Sequence, residues 1–90
     1  MRTTITFNTE NAEKYTLCGA ILYEFFRDWH DALVESKQEP RMPISVHRLL
    51  TIFPYISIND MREGLKALLE AGILTKERKR RNNFFFHYEH

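Results

Sequence analysis

The sequence predicts a mainly helical α+β domain that carries a small β-hairpin sheet. Three observations predict it. Apolar side chains recur at helical spacing through residues 17–36, 45–53 and 57–71. The two shorter segments each start after a serine, and the last is stopped by Gly72. From residue 73 to 89 the spacing changes to strand alternation on either side of a cationic tip.

Ninety residues make a single domain with a small core. Twelve aromatic residues, seven of them Phe, supply much of the burial such a core needs. The net charge of +1 excludes a polycation, so any attraction to a polyanion must come from local charge asymmetry. The lone Cys18 cannot form an intrachain disulfide and reads as a small buried hydrophobe. The first residues lack the order of a signal peptide, and no apolar run reaches the ~18 residues of a membrane span. A cytoplasmic protein with no membrane association is expected.

Residues 1–16 are a polar N-terminal segment, with residues 3–7 a candidate short strand, and with Thr9 and Thr16 as candidate caps. In the long helix of residues 17–36, Leu17, Ile21, Phe25 and Trp29 fall one turn apart, with Cys18, Leu22, Ala32 and Leu33 beside them. Glu24, Arg27, Asp28 and Asp31 take the other face. Gly19 would let a neighbouring helix approach closely. Edges of Tyr23, Phe26 and Trp29 left exposed on this helix would allow a homodimer. Pro40 ends helical possibilities in the polar loop of residues 36–43. Residues 43–45 suit one short strand with Ile44 inward.

Ser45 caps the next helix, whose stripe is Val46, Leu49, Leu50 and Phe53, with His47, Arg48 and Thr51 outward. A turn through Pro54, Tyr55 and Ile56 follows, with Tyr55, like Trp29, a core or core-edge residue. Ser57 caps the third helix, with Asp60 as its third residue. Its inward stripe is Ile58, Met61, Leu65, Leu68 and Leu69. Gly72 takes the left-handed conformation that ends it. Asn82 and Asn83 form the hairpin turn, and Phe84, Phe86 and Tyr88 face the helices. Phe85 points the other way, either exposed to a partner or covering the long helix.

The stretch LLTIFPYISINDMREGLKALLEAGILTKE resembles the winged-helix form of the helix-turn-helix. The positions that carry the likeness are Leu49, Phe53, Pro54 and Ser57, then Leu65, Leu68, Gly72, Ile73 and Leu74. The pattern is similar to the N-terminal domains of phage and plasmid replication proteins and to small bacterial or phage DNA-binding regulators. The earlier segment FNTENAEKYTLCGAILYEFFRDW is similar to the first helices of the replication-protein type. The resemblance covers residues 7–88.

The resemblance implies a double-stranded DNA-binding protein in a bacterial or phage-infected cell, acting in replication or transcription regulation. Asn59, Arg62, Glu63 and Lys66 match the positions that enter the major groove. Lys76, Arg78, Lys79, Arg80 and Arg81 match the wing that lies on phosphates. Arg48 is a further candidate contact. This third helix departs from many DNA-reading helices, because Asp60, Glu63 and Glu70 outnumber Arg62 and Lys66.

Each motif has a plainer reading. The basic run could be a solvated turn or could meet an acidic protein, and Arg62 and Lys66 could simply pair with acids along the helix. The alternative function is a protein-binding winged-helix module, such as a phage-encoded inhibitor, with Phe85 as a partner contact. No nucleophile–base–acid set, Gly-rich phosphate loop or paired catalytic carboxylates stand out. The four histidines are scattered and no zinc set is complete. The expectation is a non-enzymatic domain with no metal and no cofactor.

Overall fold

The computed structural model describes residues 9–77 and 83–88, with side chains from Thr16 onward. The element order is α1 (Thr9–Glu35), β1 (Met42–Pro43), α2 (Val46–Ile52), α3 (Ile58–Glu70), β2 (Leu74–Lys76) and β3 (Asn83–Phe86). The chain is therefore mainly helical with a three-stranded antiparallel sheet ordered β1-β3-β2. The strand expected at residues 3–7 lies outside the described residues.

The helix begins before residue 17, but it breaks where a cap was expected. Thr16 sits at φ 78°, ψ 163°, a conformation that costs a β-branched residue on the order of 1–3 kcal/mol. Its Oγ1 accepts the Gly19 N–H at 3.1 Å, so Thr16 caps the segment that follows.

From there α1 buries Ala20, Leu22 and Phe26 completely, with Cys18, Ile21 and Tyr23 buried beside them, so the buried arc keeps Cys18, Ile21 and Leu22 of the expected stripe and swings away from Leu17 and Phe25. Leu17 is 56% exposed, and Phe25 is only partly buried. The stripe is displaced because α1 is covered from two sides. Helix α3 packs along one flank and the sheet along the other, widening the apolar arc. On the sheet flank Phe26 meets Phe84 at 5.4 Å between centroids and Tyr23 meets Phe86 edge-on at 5.3 Å. Phe26 is 0% exposed and Tyr23 8%, and Trp29 stacks on Phe26. The surface expected to pair two copies is thus spent inside one chain.

Helix α1 ends with Gln38 N–H donating to the Leu33 carbonyl and Lys37 N–H to the Val34 carbonyl, the double bond of a Schellman stop. The left-handed position, usually glycine, is held by Lys37 at φ 58°. We expect Lys37→Gly to stabilise the domain by about 0.5–1 kcal/mol, since glycine removes the Cβ cost there. Thermal unfolding followed by circular dichroism checks this, and an unchanged or lowered Tm refutes it.

Strand β1 begins one residue earlier than expected. Met42 pairs with Phe84 and is fully buried, with Ile44 buried just beyond it. Pro43 is tolerated because β1 is an edge strand. Ser45 caps α2 by accepting the Arg48 N–H, and Ser57 caps α3 by accepting the Asp60 N–H, both at 3.1 Å. Met61, Gly64, Leu65 and Leu68 form the buried face of α3. Ile58, expected inward, is 37% exposed, because it stands in the first turn beyond the reach of α1.

Gly72 ends α3 at φ 78°. Its N–H reaches the Leu69 carbonyl, and the Ile73 N–H reaches that of Leu68. The chain then reverses into β2, whose Leu74, Thr75 and Lys76 pair with Phe86, Phe85 and Phe84 of β3. Asn83, expected in the turn, is instead the first residue of β3 and is buried. Tyr88 is largely exposed, yet its hydroxyl donates to Asp31 of α1 and its ring meets His30 and Phe86. Among the described residues, no helix is long and apolar enough to cross a membrane.

Candidate nucleic-acid interface

Helix α3 carries three acids and two bases, and its geometry separates two of the acids from the bases. At 100° per residue, Arg62, Lys66 and Leu69 stack on one flank, while Asp60 and Glu63 fall on the other. The Gly72 turn sends β2 back beside the basic flank. An open groove of about 510 Å³ results, lined by Val46, Arg62, Leu65, Lys66, Leu69, Glu70 and Lys76. Its floor is aliphatic, and three of its walls end in cations.

Each cation is presented differently. Arg62 is exposed and has no ion-pair partner among the described residues. Lys66 lies 3.8 Å from Glu70 one turn on, both largely exposed. Such a solvated pair is worth a few tenths of a kcal/mol, so Lys66 remains available to a stronger anion. Lys76 projects from β2 with Nζ 5.7 Å from the centre of the Phe84 ring. That cation–π contact holds its stem against the sheet and its ammonium over the groove.

The acid in the basic run is turned away from this task. Asn83 Nδ2 donates to Glu77 Oε2 at 2.7 Å, and Arg41 stands 3.5 Å from Glu77 Oε1 while also pairing with Glu39. Glu77 is therefore occupied by β3 and by the loop before β1. Arg78, Lys79, Arg80 and Arg81 lie outside the described residues.

The other expected contacts do not join the groove. Arg48 is exposed on α2 and is not among the lining residues. Asn59 is exposed in the first turn of α3, above Lys66 on the helical wheel. Glu63 belongs to the opposite flank and lines a different groove with Asp60. Phe85 alternates with Phe84 and Phe86, so it occupies the sheet face away from α1, half-buried opposite Thr75. It does not cover the long helix. Val46, Leu65 and Leu69, expected as inward-facing core residues, also form the aliphatic floor of this groove.

Among the described residues, no group of three or more His, Cys, Asp or Glu is placed to hold a metal ion. Comparison with known proteins finds no matching family model, no similar curated protein and no similar solved structure.

Proposed function

We propose that this chain is a winged-helix domain that binds double-stranded DNA, with α3 addressed to the major groove and the β2–β3 hairpin to the phosphates. The carrying observation is the sorting of charge on α3. Arg62 and Lys66 share a flank with Lys76, and Asp60 and Glu63 stand on the far side, so Glu70 is the one acid of α3 that lines the basic groove. On the basic flank three cations therefore face one acid, and a polyanion is attracted on balance. The order α2, turn, α3 and antiparallel hairpin supports the same reading.

Phosphates neutralised by protein cations release condensed counterions, and this sets the salt dependence of binding. Contacts from Arg62, Lys66, Lys76 and one cation of the 78–81 run would give a slope of about −3.6 in log K against log salt. Fluorescence anisotropy of a random-sequence duplex across a salt series measures it. A slope near zero, or no binding at micromolar protein in low salt, refutes the proposal. The weight would then shift to a module that binds protein instead.

A further inference from the structure

The second groove lies between the break in α1 and the first turns of α3. It encloses about 360 Å³ and is lined by Thr16, Leu17, Cys18, Ile21, Tyr55, Ile56, Asp60 and Glu63. We propose that it docks a protein segment in which a Lys or Arg stands beside an aliphatic anchor.

The fold leaves a cluster of large apolar side chains exposed around this groove. Leu17 is 56% exposed and Tyr55 61%. The turn that carries Tyr55 is bracketed by exposed Ile52 and Ile58. Most of the large apolar side chains exposed among the described residues therefore belong to this turn and to the start of α1. A concave apolar surface with a tyrosine at its rim is the usual make-up of an interface anchor site. The volume sits in the range of about 300–1,000 Å³ typical of binding pockets.

The charged half selects the occupant. Asp60 and Glu63 stand one turn apart on the rim, and among the described residues that line the groove none is a Lys, Arg or His. Neither carboxylate has an ion-pair partner among the described residues. Their field reaches the floor: the Cys18 thiol is pushed up to about 11, first by burial and then by Asp60 and Glu63. Two unpaired carboxylates repel phosphate and attract a cation, so nucleic acid and an acidic segment are excluded. Because the groove occupies the flank of α3 opposite Arg62 and Lys66, a bound duplex would leave it open. The domain would then carry a protein and DNA on the two sides of one helix.

The test titrates the ¹⁵N-labelled chain with three synthetic peptides of equal length, built on Arg–Leu, Glu–Leu and Arg–Ser repeats. The Arg–Leu peptide is expected to shift the amides of Leu17, Ile21, Tyr55, Ile56 and Glu63 saturably, and the other two are not. The pair Asp60→Asn and Glu63→Gln should weaken that binding roughly fivefold, the size of two exposed ion pairs. Leu17→Ser, an exposed position, should weaken it while leaving the circular dichroism spectrum and duplex affinity unchanged. Shifts confined to the Arg62 and Lys66 flank, equal response to the three peptides, or wild-type affinity in the acid variant would each overturn the proposal. So would a dimer in sedimentation that dissociates on Glu63→Gln, because a second copy would then be the occupant.

Discussion

Replacing Arg62 and Lys76 together with glutamine is expected to lower duplex affinity about a hundredfold at 0.1 M salt. The magnitude follows from counterion release. Each phosphate contact contributes about 0.9 to the salt slope, which near 0.1 M salt is worth close to a factor of ten. Losing two contacts should therefore reduce the slope from about −3.6 to about −1.8. Glutamine is chosen because Lys76 lies over Phe84, and a shorter residue would also remove packing. Both positions are exposed, so the unfolding transition should be unchanged within about 0.5 kcal/mol. Arg62→Ala alone separates two roles. A changed sequence preference marks a base contact, and uniform weakening marks a phosphate contact. If the double variant binds like the original, the groove between α3 and β2 is not the interface.

Gly64→Ala should destabilise the domain by about 1–3 kcal/mol, against the ordinary trend for a helix. Alanine in place of glycine within a helix usually gains about 1 kcal/mol. Here a Cβ at position 64 would stand 2.9 Å from the Gly19 backbone nitrogen, 3.0 Å from Cys18 Sγ and 3.1 Å from the Cys18 carbonyl carbon. The sulfur could shift, but the backbone of α1 cannot move without separating the two helices, and that overpacking outweighs the propensity gain. A loss of this size should lower the Tm by roughly 5–15 °C in a domain of this length. Gly64→Val, larger and β-branched, should leave no cooperative transition. Gly72→Ala provides the contrast: nothing lies within 4 Å of its added Cβ, but φ of +78° is strained for any side chain. Its cost should be about 1 kcal/mol and should come from the dihedral alone. A Gly64→Ala variant as stable as the original would refute the close crossing of α1 and α3.

The crossing also shows what was legible. Gly19 stood out as a place for close approach, because a glycine inside an apolar helix needs a reason. Its counterpart Gly64 did not, because nothing local distinguishes it from the rest of α3. The serine caps at residues 45 and 57, the Thr16 cap and the Gly72 stop were all readable. Each is a contact between residues three to five apart, decided by side-chain chemistry and backbone dihedral preference. The break in α1 follows from the Thr16 cap, since that residue ends one helical segment and opens the next.

Faces were less legible than elements. The expected stripe on α1 ran through Leu17, Ile21, Phe25 and Trp29 with Cys18 and Leu22 beside them; Cys18, Ile21 and Leu22 are buried, but Leu17 is exposed, and Phe26 rather than Phe25 is fully buried. Apolar residues occupy so much of this helix that spacing alone does not say which are covered. The covering is done by α3 and by the Phe84 and Phe86 rings, from far along the chain. Tyr55 likewise looked like a core-edge residue and is 61% exposed, at the rim of a groove beside the start of α1.

By itself, then, the sequence determined the elements, their caps and stops, and the presence of a concentrated basic run. Those properties depend on neighbours within a turn or two. Only the tertiary structure decided how α3 divides its charge between two grooves. The spacing of about 100° per residue sets Arg62 and Lys66 apart from Asp60, but which groove each flank faces depends on the elements packed beside it. Strand β2 brings Lys76 to the flank of Arg62 and Lys66, and the start of α1 encloses Asp60 and Glu63 with Leu17 and Tyr55.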